Sequence, residues 1–239
     1  MKRPNSPRIL LALILISSAP IFGAGAPPPP PDIFTAGERV LGHSYAFLIA
    51  ARYGAAYPER RLVFLNRGVS GNRVPDLIAR WKADTLDLKP DVLSILIGVN
   101  DVGSAIRDGK PFSIDDYEKS YDQLLAGAVA ANPKIRLVLC EPFILPGART
   151  SARWDDYEKA IAAEQAAVQR LGGKYHAAVV HLQRVFDTAA KMNVPADYWI
   201  WDGVHPRYAG QQLLADEWVR AYREFYGETK ESPTTRATR

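Results

Sequence analysis

The stretch VLSILIGVND, Val92 to Asp101, decides how the chain is expected to fold. Its first part, Val92–Gly98, is an apolar run with the length and composition of a buried strand, and a polar turn follows directly. Three other runs share this character: Leu62–Asn66, Ile135–Cys140 and Ala178–Leu182. Continuous apolar strands of this kind are typical of a parallel sheet that is covered on both faces.

Longer segments with helical periodicity separate these strands. We predict helices at Ser44–Ala56, Pro75–Thr85, Ile114–Ala131, Ser151–Leu171, Arg184–Met192 and Arg207–Tyr226. Strands and helices in alternation predict an α/β fold, a three-layer α/β/α sandwich with right-handed crossovers. In such folds the functional residues lie at the carboxyl ends of the strands.

The N-terminal segment has the pattern of a secretory signal peptide, which we place at residues 1–26. Lys2, Arg3 and Arg8 precede the apolar run Ile9–Ile16, and small residues follow at Gly23–Ala26. The apolar run is short for a membrane span. We therefore expect cleavage, a secreted or periplasmic protein and no stable membrane insertion afterwards, with an uncleaved anchor as the alternative.

The chain fits one domain, since 239 residues with 47% hydrophobic content can form one sizeable core. We predict a proline-rich spacer over residues 27–32, the domain over 33–227 and a flexible tail over 228–239. Three of the 30 basic residues and none of the 26 acidic ones lie in the first 26 positions, so the formal net charge of +4 falls to +1 without them. No basic stripe remains to favour nucleic-acid binding.

The turn WDGVHP, Trp201 to Pro206, carries an aspartate three residues before a histidine. With this spacing the Asp202 carboxylate can fold back onto Nδ1 of His205, so that Nε2 becomes a general base. This is the acid–base half of a serine-hydrolase site.

Two polar loops follow predicted strands in the first half of the domain, at Asn66–Asn72 and Gly98–Asp101. Gly71 allows its backbone N–H to approach a substrate oxygen closely, and the Asn100 amide can supply a second donor, which together would form an oxyanion hole. Taken singly, each loop is also ordinary turn and capping chemistry. Together with Asp202 and His205, they favour a hydrolase.

Other candidate residues have weaker support. His176 and His181 flank a predicted strand and are typical of surface or hydrogen-bonded histidines. Cys140 ends an apolar run, which is typical of a buried thiol and not of a nucleophile. With four histidines, one cysteine and no paired spacing, the sequence predicts no metal site.

In these motifs the chain resembles the SGNH hydrolases, also called GDSL esterases and lipases, from about residue 59 to residue 218. The loop Asn66–Asn72 is similar to the second block of the family, and Ile97–Asp101 to the third. Asp202–Pro206, followed by Ala209-Gly210, is similar to the fifth.

The resemblance implies a flavodoxin-like parallel sheet of about five strands. It also implies that Gly71 and Asn100 form the oxyanion hole and that Asp202 and His205 are the acid and base of a catalytic triad. The implied activity is ester hydrolysis, with no metal or organic cofactor. Export, a polar loop set and no obvious apolar lid favour a short acyl group, chiefly acetyl, on a small molecule or carbohydrate over a long-chain lipid. The sequence leaves the oligomeric state open.

The first block departs from the family, in which an apolar strand runs into Gly-Asp-Ser and ends at the nucleophile. In one alignment Ala36–Leu41 is that strand and Gly42-His43-Ser44 replaces Gly-Asp-Ser, so that Ser44 is the nucleophile. In the other, the block is missing and Ser44 starts the next helix, with its hydroxyl bonded to backbone N–H groups.

Two features favour the second alignment: Val40-Leu41 is too short for a central strand, and an apolar helical face begins at Tyr45. The sequence therefore leaves two functions open. One is an active serine esterase, and the other is a catalytically impaired, SGNH-fold glycan-binding protein that has lost its nucleophile block.

Overall fold

The computed structural model describes residues 8–13 and 44–227. These residues contain one five-stranded parallel sheet. The spatial order is β2-β1-β3-β4-β5, the flavodoxin-like order. The strands are β1 (Arg8–Leu13), β2 (Val63–Asn66), β3 (Val92–Leu96), β4 (Arg136–Cys140) and β5 (Ala178–Val180).

Helices cover both faces of this sheet. They are α1 (Tyr45–Ala56), α2 (Val74–Asp84), α3 (Val99–Arg107), α4 (Ile114–Ala131), α5 (Trp154–Lys174), α6 (Leu182–Ala189), α7 (Ala196–Trp199) and α8 (Tyr208–Tyr226). Short 3-10 turns occur at Pro58–Arg60, Leu86–Leu88 and Ser151–Arg153.

Side chains alternate along each strand, so the sheet has one hydrophobic core on each of its two faces. In β4, Val138 and Cys140 pack with α1, α6 and α8, whereas Leu137 and Leu139 pack with α2, α4 and α5. Alternate side chains of a strand point to opposite faces, so each buried strand supplies both cores. The three-layer α/β/α sandwich is confirmed.

The predicted strands and helices in the described part of the chain are confirmed to within a few residues, and α4 has the predicted bounds. Three strands or helices of the described residues were not predicted from the sequence: β1, α3 and the short α7. Gly98–Asp101 was interpreted as a loop, yet Val99 already begins α3, with Gly98 as its N-cap at φ 135°. Such a positive φ is one that glycine alone tolerates readily.

The central strand β1 overlaps the predicted signal peptide. Leu10 pairs with Leu65 of β2 on one side and with Leu93 of β3 on the other, so residues 8–13 fill the position of a first-block strand. The rest of residues 1–26, the spacer 27–32, the segment 36–43 and the tail 228–239 lie outside the described residues. Signal cleavage and secretion stay predictions.

Within residues 8–13 and 44–227, no helix combines the length and the apolar character needed to cross a membrane.

Candidate active site

The Asp202 and His205 side chains meet on a buried turn between α7 and α8. Asp202 Oδ2 lies 2.6 Å from His205 Nδ1, within the hydrogen-bond distance that the three-residue spacing predicts. The other carboxylate oxygen, Oδ1, accepts the backbone N–H groups of Val204 at 3.0 Å and His205 at 2.9 Å. With Nδ1 engaged by the carboxylate, Nε2 is the ring nitrogen at which proton transfer can occur.

These donors keep Asp202 ionised. Burial by itself would raise the pKa of the carboxyl, but the hydrogen bond and charge of His205 and the two backbone N–H groups lower it below its ordinary value. The aspartate is therefore a stable anion that can orient the imidazole and stabilise its protonated form.

Backbone contacts fix the shape of the turn. Ile200 and Pro206 form an isolated antiparallel bridge, and the N–H of Trp201 donates to the carbonyl of His205 at 3.1 Å. Gly203 has φ 101°, a conformation that side chains rarely adopt. The Trp201 ring stacks on the His205 ring, with 5.8 Å between ring centroids.

The two polar loops predicted to share one mouth are in direct contact. The Asn100 amide donates from Nδ2 to the backbone carbonyl of Asn72 at 3.1 Å. Because an amide NH₂ carries two hydrogens, the second remains for another acceptor. Gly71, one residue before Asn72, has φ 80°, a backbone conformation that glycine adopts readily.

Asp101 ties the same two loops together, a role that the sequence analysis did not assign. Its carboxylate accepts the N–H of Val74, the first residue of α2, at 3.1 Å. Burial raises the pKa of Asp101 to about 7, against the lowering effects of the Val74 hydrogen bond and of Arg73.

A small apolar cluster places the Asp202–His205 turn beside the N-terminal end of α3, which contains Asn100. Val204 from the turn packs with Val99 and Val102 at the start of α3, and Ile144 and Ile161 complete the cluster. The loop that follows β4 also reaches the turn, since the N–H of Leu145 donates to the carbonyl of Gly203 at 2.9 Å. The turn therefore lies at the carboxyl edge of β3 and β4, where the fold class predicts a site.

Ser44 is the N-cap residue of α1, as the second alignment predicts, and it is fully buried. Its hydroxyl makes no capping hydrogen bond, so that part of the expectation is wrong. The next residue is linked to the Asp202–His205 turn: the N–H of Tyr45 donates to Gln211 Oε1 at 2.8 Å, and Gln211 Nε2 donates to the carbonyl of Pro206 at 3.4 Å.

Glu164 of α5 is a second buried carboxyl near the site, and it was missed. It lies against Gly98, where a Cβ would overlap its carboxyl oxygens. Neither of those oxygens has a hydrogen-bond partner among the residues that the structure describes. The sequence did contain a signal, because Glu164 interrupts the apolar stripe of Ile161, Val168 and Leu171 at helical spacing.

The remaining candidates lie apart from this turn. His181 Nδ1 pairs with Glu141 Oε1 at 2.8 Å, and the exposed His176 ring contacts Phe225. Burial raises the pKa of the Cys140 thiol to about 12, so it is not a nucleophile. Within residues 8–13 and 44–227, no group of three or more His, Cys, Asp or Glu side chains could hold a metal ion.

The fold and its paired acid and base define the class of the protein, an ester hydrolase of the SGNH type. Residues 32–213 match the model of the GDSL-like Lipase/Acylhydrolase family, and the chain belongs to that family.

Proteins similar to this chain occur in Geobacillus stearothermophilus and Parabacteroides merdae. An acetylxylan esterase of Geobacillus stearothermophilus is 31% identical over 194 residues, covering 76% of this chain and 85% of the esterase. The crystal structure of Axe2, an acetylxylan esterase from the same organism, has a TM-score of 0.72 at 26% identity and covers 95% of this chain and 97% of that one. A protein of Parabacteroides merdae described as a GDSL-like lipase has a TM-score of 0.76 at 32% identity and covers 90% and 95%.

Proposed function

We propose that this protein hydrolyses short acyl esters, chiefly acetyl esters, and that its natural substrates are acetylated carbohydrates. The observation that carries the proposal is the buried Asp202–His205 pair, joined at 2.6 Å beside the start of α3, which contains Asn100. The similarity to an acetylxylan esterase over 76% of the chain supports the substrate class. Polar residues around Gly71, namely Arg67, Asn72 and Arg73, suit a hydroxyl-rich substrate better than a long acyl chain.

In this proposal His205 removes a proton from the attacking hydroxyl and returns it to the leaving alcohol. Asp202 holds the imidazole in the required tautomer and stabilises the imidazolium. The N–H of Gly71 and the second Asn100 amide hydrogen stabilise the tetrahedral oxyanion.

The nucleophile is the open part of the proposal, and Ser44 is its candidate. In favour of Ser44 are its burial and the Tyr45–Gln211–Pro206 hydrogen bonds, which tie the start of α1 to the His205 turn. Against Ser44 stands its position as the N-cap of α1. The nucleophile is expected at the end of a central strand, and the central strand of this sheet is β1, much earlier in the chain.

The proposal is tested with the purified full-length chain on p-nitrophenyl acetate and p-nitrophenyl laurate. We expect faster turnover of acetate, and a loss of about 10³-fold or more in kcat/KM for His205→Ala. His176→Ala is the matched control, since His176 is exposed and lies away from the turn, and its activity should not change. Equal loss in the two variants, or laurate turned over faster than acetate, contradicts the proposal.

Ser44→Ala separates the two alignments in the same assay. Loss of activity with an unchanged circular-dichroism spectrum identifies Ser44 as the nucleophile. Retained activity excludes Ser44, and a Ser17→Ala/Ser18→Ala double variant then tests the first serines after β1. Leu13 pairs with Leu96, and Ser17 follows Leu13 at the same chain separation as Asn100 follows Leu96. A wild-type chain without esterase activity supports the glycan-binding alternative instead.

A further inference from the structure

A cavity of about 470 Å³ lies between the end of α3, the turn that leads into α4 and the first three turns of α5. Its apolar lining includes Ile106, Phe112 and Ala160, and these side chains also pack against the apolar cluster that joins the Asp202–His205 turn to α3. The cavity is therefore a separate space that adjoins the candidate active site through that cluster. Along α3, Ile106 follows Asn100 by six residues, which is a rise of about 9 Å.

The charged side chains of the lining leave an excess of positive charge. Of the described lining residues Asp156 alone is acidic, and its Oδ2 accepts a hydrogen bond from Arg153 Nε at 2.6 Å. Lys110 and Lys159 also line the cavity. Within residues 8–13 and 44–227, neither ammonium group has an ion pair or a hydrogen bond. Two positive charges thus lie beside a partly apolar space without a counter-charge from the protein.

Other acidic side chains in this region do not supply that counter-charge. Asp155 and Glu158 belong to the same end of α5, but neither lines the cavity. Asp108, in the turn after α3, lies near Arg107, with 3.4 Å between the carboxylate and Nε. The cavity therefore attracts an anion, as a concave surface with charge of one sign does.

The apolar side of the lining restricts which anion fits. The Phe112 ring packs against the Tyr117 ring, with 6.1 Å between centroids, and thereby forms a supported aromatic wall. Small lining residues, among them Ala105, Gly109 and Ala163, leave room beside it. A ligand that matches the whole lining carries an apolar face next to an anionic group. A sugar ring with a carboxylate, a uronic acid, has both, because its C–H groups lie on the ring faces and its carboxylate projects from the edge.

We propose that this cavity is a subsite for a uronosyl group of the carbohydrate substrate. Phe112 packs on the sugar ring, and Lys110 and Lys159 bind its carboxylate. This inference rests on the proposed function and narrows it, since the preferred substrate is then an acidic acetylated glycan and not a neutral one. The rise of about 9 Å between Asn100 and Ile106 exceeds one sugar ring, so the uronosyl group and the acetyl group are on different sugars.

The direct test is binding of sodium glucuronate to the full chain, followed by NMR of its backbone amides. We expect glucuronate to shift the amide signals of Lys110, Phe112 and Lys159, and methyl glucoside at the same concentration to leave them unchanged. Equal shifts with both sugars, or none with glucuronate, overturn the inference. So does sodium octanoate shifting these signals where glucuronate does not, because the cavity would then be a site for a fatty acid.

The matched variants change the same charge at two places. Lys110→Gln/Lys159→Gln should lose the response to glucuronate, and each single variant should weaken it if the double variant does not fold. Lys89→Gln/Lys134→Gln is the control, because these exposed lysines lie in the turns before β3 and β4, at the opposite edge of the sheet. An equal loss in the two double variants contradicts a subsite at this cavity.

Kinetics separate the subsite from the proposed function. If the chain is an esterase, Lys110→Gln/Lys159→Gln should raise KM by about 3–10-fold on an acetylated xylo-oligosaccharide that carries a glucuronosyl branch. Its kcat on that substrate, and its KM on the unbranched oligosaccharide and on p-nitrophenyl acetate, should stay at the wild-type values. A wild type with equal KM for the two oligosaccharides overturns the subsite. Glucuronate binding by a chain without esterase activity contradicts the proposed function and supports the binding site.

Discussion

Asp202 and Glu164 are both buried carboxyls near the same edge of the sheet, yet their surroundings are opposite. Asp202 has two backbone N–H groups, the His205 ring and Arg149 around it. Glu164 lies against the bare Cα of Gly98, with no hydrogen-bond partner in the described parts of the chain. The pKa of Asp202 is lowered, whereas burial and the nearby charge of Asp101 raise that of Glu164 well above its ordinary value.

The difference shows that donors, and not burial alone, decide the charge of a buried carboxyl. Burial disfavours the ionised form in both residues, and only Asp202 has the donors that outweigh it. The site thus contains a permanent anion, Asp202, which orients the imidazole. It also contains a neutral acid, Glu164, against Gly98 at the start of α3.

The two carboxyls also respond to pH in opposite directions. The stability that Asp202 contributes is present above the ordinary aspartate range and is lost as the pH falls through its lowered pKa. The contribution of Glu164 is fully present below the ordinary glutamate range. It is lost as the pH rises toward its raised pKa, because the unfolded chain ionises first.

Replacing Asp202 should have the largest effect on activity. Asp202→Asn keeps the shape but removes the negative charge and favours the wrong tautomer of His205, so we expect kcat/KM to fall by about 10³–10⁴-fold. Steady-state kinetics on p-nitrophenyl acetate measure this. Asp216→Asn is the control, because Asp216 is an exposed residue of α8 that pairs with Arg52 and accepts a hydrogen bond from Gln212, away from the turn. A loss in kcat/KM below about tenfold would mean that the negative charge of Asp202 is not needed for catalysis.

Replacing Glu164 should have a smaller effect, on stability and not on chemistry. Glu164→Gln cannot ionise, so its free energy of unfolding relative to that of the wild type should be higher at pH 8 than at pH 4. Urea unfolding at several pH values measures this difference.

Glu118→Gln is the control for that experiment. Glu118 is paired with Arg170 at the surface, and the hydrogen bond from Arg170 lowers its pKa. No gain at high pH is therefore expected. A gap between Glu164→Gln and the wild type that stays constant with pH would show that Glu164 is ionised in the folded protein.

The sequence predicted most of the fold because its strands are short apolar runs with clear breaks. Val92–Leu96 and Arg136–Cys140 are buried on both faces, so their pattern is unambiguous. The sequence could not identify β1, since an apolar run after basic residues is equally typical of a signal peptide.

The candidate site was predictable where spacing along the chain carries the geometry. Asp202 and His205 lie three residues apart, so their contact follows from local structure. Arg149 and Gln211 reach the site only through tertiary packing, across separations that no local pattern encodes. Glu164 interrupts an apolar stripe, so its burial could be predicted from the sequence, but its position against Gly98 could not. Their place in the site emerges from the loop after β4 and from the packing of α5 and α8.

The strand that comes first along the chain lies in the middle of the sheet, so export and folding compete for the same residues. A chain cut after residue 26 would leave β2 and β3 about 10 Å apart, each with a row of unpaired backbone groups toward the gap. Open edges of that kind recruit other chains, so we expect residues 27–239 expressed alone to aggregate. The intact mass of the folded protein shows whether residues 8–13 are kept. A mass that includes them assigns the segment to the sheet. A soluble, folded product beginning at Pro27 would assign it to export.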